Sequence, residues 1–156
     1  MRFRTGGQTG VDRGALDALL KTDFSVGGWC PKGRRAEDGI IPDRYPLREL
    51  DSGAYADRTL ANVRDSDATL IIHFGPLEGG TKLTQQFCQK EKKPCLLVDG
   101  SNTAPTRAAK ALMQFLDSHK IEELNIAGPR ASEEPNAYGY TCAFLDEWVK
   151  MSYSSP

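Results

Sequence analysis

The sequence predicts an α/β fold: a Rossmann-like, doubly wound parallel sheet of about five strands, with helices on both faces. Three observations carry that expectation. Five short apolar runs alternate with segments of helical periodicity, the pattern of repeated βαβ units. The clearest run, ATLIIHF (68–74), has the near-continuous apolar character of a strand buried on both faces. Two glycine-rich stretches, GGQTG (6–10) and GPLEGGT (75–81), directly follow two of the runs.

The elements follow in order. RFRT (2–5) reads as the first strand, ended by GGQTG. Val11, Ala15, Ala18 and Leu19 then recur at helical spacing, to about residue 21. SVGG (25–28) is a second strand. Residues 29–54, rich in proline, glycine and basic side chains, read as a long loop, and such loops in compact domains are functional or disordered. A helix over 55–65 precedes the third strand at 68–74, and another runs from 81 to about 92. PCLLV (94–98) is the fourth strand. Ala108, Leu112, Phe115 and Leu116 share one face of a helix over 106–119. ELNIAG (123–128) is the fifth strand, and Tyr140, Phe144 and Trp148 mark a last helix. The expected strand order is 2-1-3-4-5, which sets strands one and three side by side at the switch point where such folds bind ligands. Both glycine loops then lie at one edge. A single domain over 1–150 is expected, with residues 151–156 a frayed tail.

Composition narrows the function. The 156 residues carry 20 Lys and Arg against 21 Asp and Glu, a net charge of -1, so no basic nucleic-acid footprint is expected. No apolar run approaches a membrane span and the N-terminus has no apolar signal core, so a cytoplasmic location is expected. Four cysteines without CxxC spacing or a histidine pair argue against a metal site and for free thiols. Cys30, in GGWCPKGRR (27–35), is set apart because neighbouring cations favour a thiolate.

Candidate ligand-binding residues come from three stretches. In GPLEGGT, Gly75, Gly79 and Gly80 let backbone N–H groups approach an anion, while Thr81 either caps the following helix or offers its hydroxyl to a phosphate. An ordinary strand-to-helix turn is the alternative. In the first loop, Gly6, Gly7, Gln8, Thr9 and Gly10 form a second candidate cradle. Thr9 reads as a helix N-cap with Asp12 completing a capping box, and Gln8 as a hydrogen-bonding tip. In the long loop, Trp29, Lys32, Gly33 and Arg34 combine an aromatic face with cations, suited to a heterocycle and its phosphate or to a solvated surface. Tyr45, Arg48 and Arg58 belong to the same region. His73 reads as a structural residue at a strand end. No catalytic constellation is found.

GGQTGVDRGALD, GGWCPKGRRAEDG, IIPDRYPLRE, the DSDATLI strand and AGPRAS together resemble the putative molybdenum carrier family over about residues 1–150. That resemblance implies a Rossmann-like fold and a carried ligand, the molybdenum cofactor, a pyranopterin phosphate. It also implies a protein partner, a molybdoenzyme or cofactor-insertion factor, and a homo-oligomer. The family is distantly related to lysine decarboxylase-like phosphoribohydrolases, whose PGGxGTxxE loop ends in a catalytic glutamate. The matching stretch here is LEGGTKLT, with Leu77 in the proline slot and Thr84 in the glutamate slot. Threonine cannot supply carboxylate chemistry. The resemblance therefore implies a carrier that holds a small phosphate-bearing ligand and not an enzyme. A nucleotide-binding sensor or a phosphoribohydrolase-like enzyme is the alternative.

Overall fold

The computed structural model describes residues 1–156. Five strands build the main sheet: β1 (Arg2–Arg4), β2 (Ser25–Gly27), β7 (Ala68–His73), β8 (Cys95–Asp99) and β9 (Glu123–Ala127). Two-residue strands lie between: β3 (Trp29–Cys30), β4 (Arg35–Ala36), β5 (Gly39–Ile40) and β6 (Arg48–Glu49). The helices are α1 (Val11–Leu19), α2 (Tyr55–Arg64), α3 (Gly79–Lys90), α4 (Pro105–His119) and α5 (Ala137–Ser154). Every pairing in the main sheet is parallel. The α/β, Rossmann-like class is as the sequence predicts.

The strand order is not. It runs β2-β1-β9-β7-β8, so the last strand sits between the first and the third expected strands. The expectation assumed that successive strands stay neighbours, and the polar residues of ELNIA disguised a central strand. Asn125 is only 2% exposed in the middle of β9, and its amide donates to the Thr69 hydroxyl at 3.3 Å. Glu123, at the start of the same strand, is held by Arg2 at 2.8 Å and Arg4 at 3.0 Å. Numbered from β9, the same spatial order reads 3-2-1-4-5, that of a dinucleotide-binding fold. The chain is thus that fold with its first strand and helix moved to the C-terminal end.

Alternate residues of β7 serve the two faces. Ala68, Leu70 and Ile72 enter a core with Val11 of α1, Ala108 and Leu112 of α4, and Phe144 of α5. Thr69 and Ile71 point toward the layer of α2 and α3, which pack on each other. The Phe3 ring meets the Trp148 ring edge-on at 5.3 Å, anchoring α5 on β1. α5 continues through Ser154, and Tyr153 stacks on Phe24 at 5.8 Å. The expected frayed tail is therefore helical for most of its length, because its aromatic has a partner.

The 29–54 segment is a small folded subdomain and not a bare loop. β3 pairs with β6 and β4 with β5. Cys30, Ala36, Ile41, Tyr45 and Leu47 close over Leu16 as a second apolar cluster. Arg34 stitches it together: its guanidinium donates to the carbonyls of Ile41, Pro42, Tyr45 and Leu47 at 2.8–3.1 Å.

Candidate functional site

The carboxyl ends of β1 and β9 and the start of α3 open into one cavity of about 140 Å³. Its wall takes Gly6, Gln8 and Asp12 from the first glycine loop and the helix after it. It takes Asn125 to Arg130 from β9 and its loop, Gly80, Thr81 and Thr84 from α3, and Tyr55 and Arg58 from α2. The two glycine loops thus meet at one edge, as expected, although β9 lies between their strands. Gly10 fastens the first loop to the β9 loop. With φ +77°, and with a would-be Cβ 2.4 Å from the Pro129 carbonyl, only glycine fits there.

The start of α3 faces this cavity. The helix begins at Gly79, which has φ +51°, and the first backbone bond within it runs from Lys82 N–H to the Glu78 carbonyl at 3.2 Å. The N–H groups of Gly79, Gly80 and Thr81 are therefore the free donors of a helix start, where anions are favoured. No side chain caps them. Nothing lies within 4 Å of a Cβ placed on Gly80. Thr81 is the third residue of the helix and not its cap, since Glu78 takes that position. The Thr84 hydroxyl lines the cavity but donates back to the Gly80 carbonyl at 2.8 Å.

The opposite wall is built around Arg58. Its guanidinium lies under Gly6, donating to the Gly6 carbonyl at 2.8 Å, and sits 3.6 Å from the Asp12 carboxylate. Burial pushes the Asp12 carboxyl above its ordinary range, against the pull of Arg58 and the Gln8 N–H bond. Gln8 is 6% exposed. Its side-chain oxygen accepts from the Thr9 and Glu37 N–H groups at 3.1 and 2.9 Å, while its Nε2 is buried without a partner. Thr9 does not cap α1; Gly10 holds that position. The Thr9 hydroxyl instead donates to Glu37 and accepts from Ala131 N–H at 3.1 Å. Asp12 accepts from Gln8 N–H at 3.0 Å, so the box expected around Thr9 closes on Gln8.

At the mouth, three guanidiniums surround the Tyr55 ring: Arg130 at 5.3 Å, Arg58 at 5.5 Å and Arg35 at 5.7 Å from its centroid. Arg130 also pairs with Glu133 at 2.9 Å.

The other predicted site residues lie elsewhere. Trp29 donates from its indole to Asp65 at 2.7 Å and lines a separate surface groove with Leu50 and Asp57. Lys32 is exposed, Gly33 N–H donates to Glu49 at 2.7 Å, and Arg34 is committed to its four carbonyls. Gly75 N–H donates to Asp99 at 3.3 Å, and Gly7 packs under Ile41 and Leu47. His73 Nδ1 bonds the Gly75 carbonyl at 2.8 Å. Cys30 is fully buried and burial pushes its thiol up, so the thiolate that its basic neighbours suggested is disfavoured. No three histidine, cysteine or carboxylate side chains gather as a metal cage.

Sequence reasoning missed Tyr55, Asn125, Gly128, Pro129, Arg130 and Glu133. The signal was the Gly-Pro-Arg step of AGPRAS after the fifth strand, a βα turn like the other two. The switch-point rule was applied to the wrong pair of strands.

Comparison with known proteins agrees with this fold. The chain is similar, with a TM-score of 0.92 and 45% identity over 95% of its length and 94% of the other chain, to the crystal structure of a protein described as "Putative molybdenum carrier protein" from Syntrophus aciditrophicus SB. Among curated proteins nothing matches. Residues 3–149 match the model of the circularly permutated YpsA SLOG family, a description that fits the displaced β9. The chain belongs to the circularly permutated YpsA SLOG family.

Proposed function

We propose that this protein binds and carries the molybdenum cofactor, seating its phosphate on the first turn of α3 and presenting it to a protein acceptor. The observation that carries this reading is the uncapped start of α3, whose Gly80 and Thr81 line a walled cavity beside the buried Arg58 and the half-buried Arg130. The carrier description of a relative 45% identical over nearly the whole chain supports the choice of cargo. The cavity is smaller than the roughly 300–1,000 Å³ of sites that enclose a whole ligand, so it takes the phosphate end and the pterin extends outward. The α3 residue in the position of the related hydrolases' glutamate is Thr84, whose hydroxyl is already bonded to Gly80. Gln8, Gly6 and Gly10 contribute by shaping the wall next to that phosphate. A cytoplasmic carrier would meet both the cofactor and its acceptors in one compartment.

A second reading, a nucleoside monophosphate hydrolase, draws on Asp12, a buried carboxyl raised above its ordinary range on the same wall. The two separate cleanly. The protein is purified without oxygen from cells that make the cofactor, then oxidised and analysed for a fluorescent pterin. The carrier reading expects pterin in the parent and several-fold less in Gly80→Asp. Equal, background-level pterin in both, with free base released from nucleoside monophosphates, would replace it with the hydrolase.

A further inference from the structure

All four cysteines are free thiols, and two of them meet. Cys88 lies near the C-terminal end of α3, and Cys95 opens β8. The turn between them is tight: Lys92 takes φ +56°, and Lys93 N–H donates to the Cys88 carbonyl at 3.0 Å. Cys95 stands beside Thr69 of β7 in register, so both face the helical layer that contains α3. The Cys95 thiol and the Thr69 hydroxyl both donate to the Cys88 sulfur. Those bonds, the one from Cys95 above all, hold the Cys88 thiol below its ordinary range against the effect of burial. The same bond, together with burial, pushes the Cys95 thiol up. The two sulfurs thus hold one proton between them, which leaves thiolate character on Cys88. They differ in access. Cys88 is 1% exposed, whereas Cys95 is half-buried on an edge strand whose Leu97, next along the same face, is 40% exposed. No third cysteine, histidine or carboxylate joins the pair to make a metal cage.

We infer that Cys88 and Cys95 form a redox modification site, oxidised to a disulfide by hydroperoxides and restored by dithiol reductants. Cys95 is the sulfur that a hydroperoxide reaches. As it attacks one peroxide oxygen, its proton passes to the Cys88 thiolate and the O–O bond breaks. Cys95 becomes a sulfenic acid, and the other oxygen leaves as hydroxide or alkoxide and takes a proton from solvent. The Cys88 sulfur then attacks the Cys95 sulfur, and the sulfenic hydroxyl leaves as water with the Cys88 proton. Two thiols have lost two electrons and two protons, and one hydroperoxide has become water and an alcohol, or two waters from hydrogen peroxide. Neither sulfur lines the cavity, so the site stands whatever ligand the cavity takes.

The whole protein, reduced and desalted, is treated with hydrogen peroxide at neutral pH, and free thiols are counted after denaturation. The parent is expected to fall from four thiols to two. Peptide mapping by mass spectrometry should place the bridge between Cys88 and Cys95 of one chain, and dithiothreitol should restore all four thiols. Cys88→Ser should stop at a sulfenic acid on Cys95, trapped by dimedone. Cys95→Ser should form no bridge at the same dose, and Cys142→Ser should form it as the parent does. Thermal unfolding checks that the variants fold, and the map of the parent decides the matter if Cys88→Ser does not. Four surviving thiols, a bridge mapped to another pair, a bridge found only between chains, or a Cys95 sulfenic acid that persists beside Cys88 would overturn the site.

Discussion

Two glycines in the same cavity wall make opposite demands. A Cβ on Gly6 would lie 2.3 Å from Nη1 of Arg58, and that guanidinium cannot move without leaving the buried Asp12 unpaired. Gly6→Ala should therefore cost about 1–3 kcal/mol of stability, as overpacking does, read by denaturant unfolding. A Cβ on Gly80 meets nothing, and a first-turn aspartate suits the helix dipole, so Gly80→Asp should keep or slightly raise Tm. It should also weaken phosphate binding by tenfold or more, since it sets a carboxylate at the free N–H groups. A Gly80→Asp protein that binds phosphate like the parent would reduce the loop to a turn. At this scale the sequence was informative where backbone did the work: GGQTG could be read as a loop needing glycine, and in EGGT the first glycine, Gly79, takes φ +51°. It was uninformative where chemistry depended on burial. Nothing in GGWCPKGRR says that Cys30 faces Leu16 and Ile41. Iodoacetamide at pH 8 should therefore leave Cys30 unmodified in the folded protein and label it on unfolding.

The folded 29–54 segment is the element that sequence periodicity could not resolve, because two-residue strands leave no pattern to count. Its order comes from Arg34, whose planar fork reaches four carbonyls. A lysine offers three donors from one point, so Arg34→Lys should lose about 2 kcal/mol or more, measured as a fall in unfolding midpoint. The β4–β5 hairpin is also latched to the site by its turn. Glu37 accepts from Ser132 N–H at 3.1 Å and from the Thr9 and Ser132 hydroxyls, and Asp38 pairs with Arg13 at 2.9 Å. Partial burial works to raise the Glu37 carboxyl, but its hydrogen bonds outweigh that and hold it below its ordinary 4.5. The Arg13 hydrogen bond holds Asp38 below 3.8. Both folded-state values are depressed, so the latch contributes fully above the ordinary values and is lost as pH falls through the lower folded ones. The Tm gap between parent and Glu37→Gln should accordingly be constant near neutrality and close below about pH 4. A gap that widens on acidification would mean that the carboxylate is not what holds the hairpin.

At the scale of the molecule, the sequence made the layers legible and hid the order. Alternation of runs and helical stretches identified five strands, but only contacts across the chain put β9 between β1 and β7. The switch point moves with it. It lies between β9 and β7, strands 1 and 4 of the rotated numbering, and the cavity opens there. If the fold is a rotated dinucleotide-binding sheet, rotating it back should be tolerated. The α4–β9 connection is a three-residue surface turn, 120–122, in which Lys120 takes φ +53° and Glu122 is exposed. The last turns of α5 lie against the strand ends where a new link is needed, with Trp148 on Phe3 and Tyr153 on Phe24. A flexible glycine-serine linker of about eight residues spans roughly 15 Å, enough to join Pro156 to Met1 while opening the chain at 121. Closing one short loop and opening another changes chain entropy little, so the permutant should fold within about 2 kcal/mol of the parent by denaturant unfolding. Phosphate affinity should also be unchanged, because α3, the β9 loop and Arg58 keep their places in space. A permutant that folds but has lost phosphate binding would show that the site depends on how the chain is threaded. One that does not fold would show that β9 must be added last to a sheet already formed from the other four strands.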